Sequence, residues 1–110
     1  MFHVTIYEND KKECTGFRTE GHAGFAEEGK DIVCAAASVL IINTVNAIEL
    51  YTEDAASVMS EPEDGVIICH LTEPVSKEGT LLLKAMILGL SEMAHDENYA
   101  QYIDLSFEEV

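Results

Sequence analysis

The chain has 110 residues, 21 of them acidic and 6 basic, for a formal net charge of −15 at pH 7. Apolar types make up 47%, which supports one domain over residues 1–110 with little core to spare, so dimerisation would add stability. The charge excludes stable nucleic-acid binding by phosphate neutralisation and favours a basic partner, while the supply of Ile, Leu and Val excludes disorder.

Residues 2 to 8 alternate and are rich in β-formers, which predicts a strand. Asn9-Asp10-Lys11-Lys12 reads as a turn, and residues 13 to 20 as its hairpin partner. Gly21, Gly24 and Gly29 then bracket His22, Phe25, Glu27 and Glu28 in a stretch of loop composition. Asp31 has the chemistry of a helix N-cap, and residues 32 to about 51 read as one long helix. That helix is apolar almost all round, so it is expected to be buried on more than one side, as a central helix, a subunit interface or both.

Residues 55 to 60 read as a short strand, and Pro62-Glu63-Asp64-Gly65 as a turn. Val66 to Leu71 is an apolar run that suits a central strand. Ser76 is a candidate cap for a second helix over 77 to 94, with Lys77, Lys84 and Ser91 outside and Leu82, Leu83, Met86, Ile87, Leu90 and Met93 inside. Residues 99 to 107 suggest a last strand, and Glu108-Glu109 a frayed end. The expected fold is α+β. It is a two-layer sandwich of a mostly antiparallel sheet of about five strands and two long helices, in the order β-β-α-β-β-α-β.

Residues 1 to 8 lack the basic region and apolar stretch of a signal peptide. The longest apolar run, 32 to 48, is interrupted by Ser38, Asn43, Thr44 and Asn46, so no membrane span is expected. The three cysteines, Cys14, Cys34 and Cys69, are odd in number and lack CxxC spacing. A reducing, cytoplasmic setting fits them better than a disulfide framework.

Chemistry concentrates between His22 and Ser38. Cys34 follows the expected cap by three residues, in a first helical turn whose N–H groups lack helical partners and whose dipole is positive. Such a place stabilises a thiolate, with Lys30 adding to the effect and Asp31 opposing it. If the glycine-rich loop folds back, His22 could take the thiol proton. The thiolate would attack a carbonyl, and the imidazolium would protonate the leaving amine. Free N–H groups at the helix start could hold the oxyanion, and Ala35, Ala36 and Ala37 would leave room for a peptide backbone. The residues alone favour the plainer reading, with Cys34 a small buried side chain and His22 a structural one.

The run from Gly21 to Leu40, with Gly-His-Ala and Asp-Ile-Val-Cys-Ala-Ala-Ala-Ser both intact, resembles the signature of the ribosomal-processing cysteine protease family, Prp. The resemblance implies an α/β homodimer with a His/Cys catalytic pair, here His22 and Cys34, and no metal or organic cofactor. It implies a substrate as well: the N-terminal extension of bacterial ribosomal large-subunit protein twenty-seven, cut after an aromatic-rich apolar stretch. Asp31 and Ser38 match family positions near the site and are carried over as substrate contacts or orienters. Phe25 is a candidate wall of the peptide groove.

Other readings are bounded. Cys69 reads as core and Cys14 as structural. A zinc site from His22, Cys34 and one of His3, His70 or His95 has suitable donors but no paired-ligand spacing. An acidic binding module for a basic ribosomal protein is one rival. A Cys34 redox sensor is the other, and its resolving cysteine would have to be Cys14 or Cys69.

Overall fold

Alternation along the first strand sorts its side chains onto two faces. In the computed structural model, which describes residues 1–21 and 28–110, β1 (Phe2–Glu8) buries Phe2, Val4 and Ile6 and turns His3, Thr5 and Tyr7 the other way. β2 (Cys14–Glu20) pairs antiparallel with it, Ile6 opposite Phe17 and Val4 opposite Thr19, so Phe17 and Thr19 join the same buried face. The chain continues through α1 (Glu28–Tyr51), β3 (Ala56–Glu61), a 3-10 turn (Pro62–Asp64), β4 (Val66–Leu71), α2 (Lys77–His95) and β5 (Ile103–Glu109). The sheet order is β3-β4-β2-β1-β5, antiparallel except for the β1–β5 pair. The expected order and class are observed, with β4 interior.

One core joins the layers. Val33, Ala37, Ile41 and Ile48 of α1 meet Leu83, Met86 and Leu90 of α2 over Val4, Ile6, Phe17, Cys69 and Ile103 of the sheet. The helices approach closely where Gly89 faces the end of Leu40, at a spot where a Cβ would press on that side chain. The inward set expected for α2 is observed, and its Lys77 and Lys84 are exposed.

Ser76 caps α2 as expected. Its Oγ accepts from the Gly79 amide at 2.9 Å, and Asp54 accepts from the Ser76 amide at 2.8 Å and from its hydroxyl at 2.6 Å. Partial desolvation of Asp54 works against its charge, but the Ser76 and Thr52 hydrogen bonds outweigh it and hold the carboxyl below its ordinary value. A carboxylate with a lowered folded pKa contributes stability above its unfolded pKa and loses it as pH falls through the folded one. Asp54→Asn is therefore expected to lower the melting temperature at pH 7 and to flatten the acid limb of the stability curve below about pH 4. Thermal melts from pH 7 to pH 3 check both.

Four expectations are corrected. The first helix starts at Glu28, not after Asp31, so Asp31 lies inside it and is not its cap. Gly29 had marked this stretch as loop, yet a glycine in a first turn costs only about 1 kcal/mol and a helix this well packed tolerates it. Residues 99 to 102 belong to a turn, because Asp96 accepts from the Asn98 amide at 2.7 Å and its carbonyl accepts from Tyr99 and Ala100. Glu108 and Glu109 are not frayed. They pair with Tyr7 and Glu8 in β5, and the Val110 amide donates to the Glu8 carbonyl at 2.9 Å.

The fourth correction concerns α1 itself. Residues Ile32–Tyr51 have a mean hydropathy of 1.8 and are long and apolar enough to cross a membrane by length and composition. In this fold the segment is the core helix. Within one chain it is buried on a single side, and Ile32, Val39, Ile42, Leu50 and Tyr51 stay exposed.

Candidate active site

α1 carries Cys34 into the wall of an apolar cavity of about 280 Å³. Phe2, Ser38, Ile42, Ser60, Gly65, Val66 and Ile67 complete its wall. Ser38 lies one helical turn beyond Cys34, so both side chains share this face. The Cys34 side chain is half-buried, and Ala35 and Ala36 are exposed beside it. Ala37 is fully buried in the core, so of the three alanines only two leave space for a substrate.

The position of Cys34 revises the reading of its surroundings. It lies six residues after Glu28, beyond the first turn. Its own amide falls within the helical ladder, whose free donors are confined to the start, Glu28 to Asp31. The dipole effect also falls off within the first turn. A helix N-terminus therefore acts more weakly on this side chain than the spacing suggested.

His22 and Phe25 lie outside the described residues. The residue before His22 is well placed, however. Gly21 has φ +104° and Gly65 φ +65°, conformations that favour glycine. The Gly21 amide donates to the Asp64 carbonyl at 3.2 Å, and a Cβ on Gly65 would run into the Gly21 carbonyl. Thr19, fully buried, locks this crossing. Its hydroxyl donates to the Gly65 carbonyl at 2.9 Å and accepts from the Ile67 amide at 3.0 Å. Gly65 thus touches the backbone one residue short of His22 and also lines the Cys34 cavity. Sequence reasoning took Gly65 only as a turn residue and missed Thr19 altogether. The signal available was a glycine closing Pro-Glu-Asp-Gly, which says nothing of what packs on it.

The other cysteines have different surroundings. Cys69 is fully buried, and burial together with nearby Cys14 and Glu49 pushes its thiol up to about 11. Burial also raises Cys14, partly offset by the Gly16 backbone. Both are kept as thiols near neutral pH. Iodoacetamide at pH 7.5 is expected to modify Cys34 first, at least about tenfold faster than Cys69, as peptide mapping over time would show.

His3, His70 and His95 sit away from this cavity. His3 bonds Asp104 at 2.8 Å, and His70 stacks on Tyr7 with centroids 5.5 Å apart, both on the open sheet face. His95 closes α2, bonded to the Ser91 carbonyl at 2.7 Å. Among the described residues no group of three His, Cys, Asp or Glu side chains could hold a metal ion.

The profile of the family described as cysteine protease Prp matches residues 1–104. The chain belongs to the Prp family. It is similar to the ribosomal processing cysteine protease Prp of Staphylococcus aureus strain Mu50, 31% identical over 107 residues that cover 97% of this chain and 99% of that one. The Bacillus subtilis Prp is 28% identical over 100 residues, covering 87% and 89%. The crystal structure of the S. aureus Prp with a substrate peptide superposes with a TM-score of 0.90 at 29% identity, over 98% of this chain and 100% of that one. A second S. aureus structure, with a covalently linked product peptide, gives 0.86 at 30% identity over the same shares. Prp relatives are thus ribosomal processing cysteine proteases, and this chain shares their fold from end to end.

Proposed function

We propose that the chain is a cysteine endopeptidase that removes the N-terminal extension of ribosomal large-subunit protein twenty-seven, with Cys34 as nucleophile and His22 as general base and acid. The observation that carries this is the Gly21–Gly65 contact. It ties the chain just before His22 to the wall of the cavity that holds Cys34. His22 takes the Cys34 proton, and the thiolate attacks the scissile carbonyl. The imidazolium then protonates the departing amine, which leaves a thioester that water hydrolyses. Ser38 lines the same cavity and serves as a substrate contact. Asp31 is kept as a substrate contact or orienter, and Phe25 as part of the peptide groove. Donors to the oxyanion come from amides other than that of Cys34.

The net charge of −15 draws in a basic ribosomal protein and disfavours staying on ribosomal RNA. The enzyme works in the cytoplasm as a homodimer, and the exposed Ile32, Val39, Leu50 and Tyr51 of α1 supply apolar surface for the second subunit. No cofactor enters the reaction. The test is incubation of purified protein with the extended ribosomal protein, read by intact mass. One cut near the N-terminus supports the proposal. A stable complex with the extension intact would instead favour an acidic binding module.

A further inference from the structure

The side chain of Thr19 is fully buried, and its hydroxyl bonds reach backbone far along the chain, at Gly65 and Ile67. Thr44, also buried, donates instead to the Leu40 carbonyl of its own helix, at 2.7 Å. Filling space in β2 asks for no hydroxyl, since valine has nearly the same shape and suits a strand as well. The polar atom of Thr19 therefore calls for a reason of its own.

Its place in the sheet supplies one. The β2–β4 pairing runs from Gly16–His70 to Thr19–Ile67 and ends there. At this last pair the hydroxyl accepts from the Ile67 amide and donates to the Gly65 carbonyl, so a side chain extends the ladder to Gly65. Gly65 in turn meets the Gly21 carbonyl. Gly21 is closed in from the other side too, because a Cβ on it would run into the Met1 carbonyl and press on Phe2. Phe2, Gly65 and Ile67 all line the Cys34 cavity. The backbone at Gly21 is thus held between two parts of that wall, and His22 is the next residue in the sequence.

Loss of the hydroxyl would not act evenly on these parts. Val66 and Ile67 stay paired to Glu61 and Ser60 of β3, and Phe2 to Ile103 of β5. Gly21 lies past the end of both β2 pairings, which stop at Glu20 and Thr19. Its amide bond to the Asp64 carbonyl, at 3.2 Å, is at the long end of the range. The cavity would keep its shape while Gly21 lost its register against Gly65.

We propose that Thr19 is a positioning residue for proteolysis: its buried hydroxyl, acting through Gly65, fixes the backbone at Gly21 and so the point from which the chain presents His22 to Cys34. The inference rests on the proteolytic reading, in which His22 is the base.

The experiment compares Thr19→Val and Thr19→Ser in the full-length protein, with the extended ribosomal protein as substrate and the folded fraction counted by circular dichroism. Thr19→Val should lower kcat per folded molecule by about 10- to 100-fold, while KM stays within about twofold. Thr19→Ser keeps the hydroxyl and should hold kcat within about threefold of wild type. A hydroxyl that served folding alone would lower the melting temperature of Thr19→Val and leave kcat per folded molecule unchanged, the behaviour expected of Asp54→Asn. Combination with Gly65→Ala is the second measurement. Both changes loosen one crossing, so the double variant should lose no more than about threefold beyond Gly65→Ala alone. If Thr19→Val does not fold, Thr19→Ala takes its place in both comparisons. An unchanged kcat without the hydroxyl, a loss confined to KM, a Thr19→Ser as slow as Thr19→Val, or losses that multiply in the double variant would each overturn the inference. Failure of the protease reading shows separately, as wild-type protein that leaves the ribosomal protein uncut, and the inference then falls with it.

Discussion

Cys34→Ala is expected to abolish cleavage of the extended ribosomal protein, and His22→Ala to reduce it to nearly the same residual level, each by at least about 10³-fold in kcat. The two losses should not add. A thiol without its base and a base without its thiol leave the same binding cavity, and the double variant should match the worse single one. Substrate binding should survive in both, because Ile42, Ser60, Gly65 and Ile67 are untouched. Melting temperatures should move little for Cys34→Ala, since that side chain is only half-buried. Single-turnover kinetics with an anisotropy titration separates lost chemistry from lost affinity.

Gly65→Ala should be nearly as damaging, although it removes no reacting atom. Its φ of +65° opposes a side chain, and the new Cβ would collide with the Gly21 carbonyl. Backbone, unlike the end of a long side chain, cannot swing aside. Either the crossing opens or β4 shifts. Strain of this kind costs about 1 to 3 kcal/mol, and a displacement of about 1 Å at a catalytic group can cost about 100-fold in rate. The expected signature is a large fall in cleavage with a modest fall in melting temperature. Asp54→Asn offers the contrast. It acts on the cap of α2, far along the chain from the site, and should change stability while leaving kcat alone.

The contrast between these variants follows what the sequence makes legible. Strands β1 and β2 announce themselves by alternation, β4 by its apolar run and the turn before it, which also bounds β3, and helix α2 by the Ser76 cap and a clear inner face. Their bounds follow within a residue or so. The start of α1 does not, because Gly29 and a run of polar residues look like loop while packing farther along stabilises helix. That misplacement mattered chemically, since it put Cys34 in a first turn and lent it donors and a dipole that belong to residues nearer Glu28. The last strand was blurred for a local reason, the Asp96 turn, which no apolar period reveals.

Within the site, Cys34 and Ser38 were readable as one helix face. Gly65 and Ser60 were not, because they come from other elements and reach the cavity only once the sheet is formed, and Thr19 bears on it only through its bonds to Gly65 and Ile67. A groove made by an edge strand and a helix is a tertiary object. Cys34 and Ile67 line one cavity only after folding, and no spacing in the chain predicts it.

The most direct test of the central claim is to trap the covalent intermediate. Wild-type protein mixed with the extended ribosomal protein and quenched in acid should gain the mass of one acyl fragment, and fragmentation should place it on Cys34, with none on Cys34→Ala. An adduct on Cys14 or Cys69, or cleavage that persists unchanged in Cys34→Ala, would contradict the account.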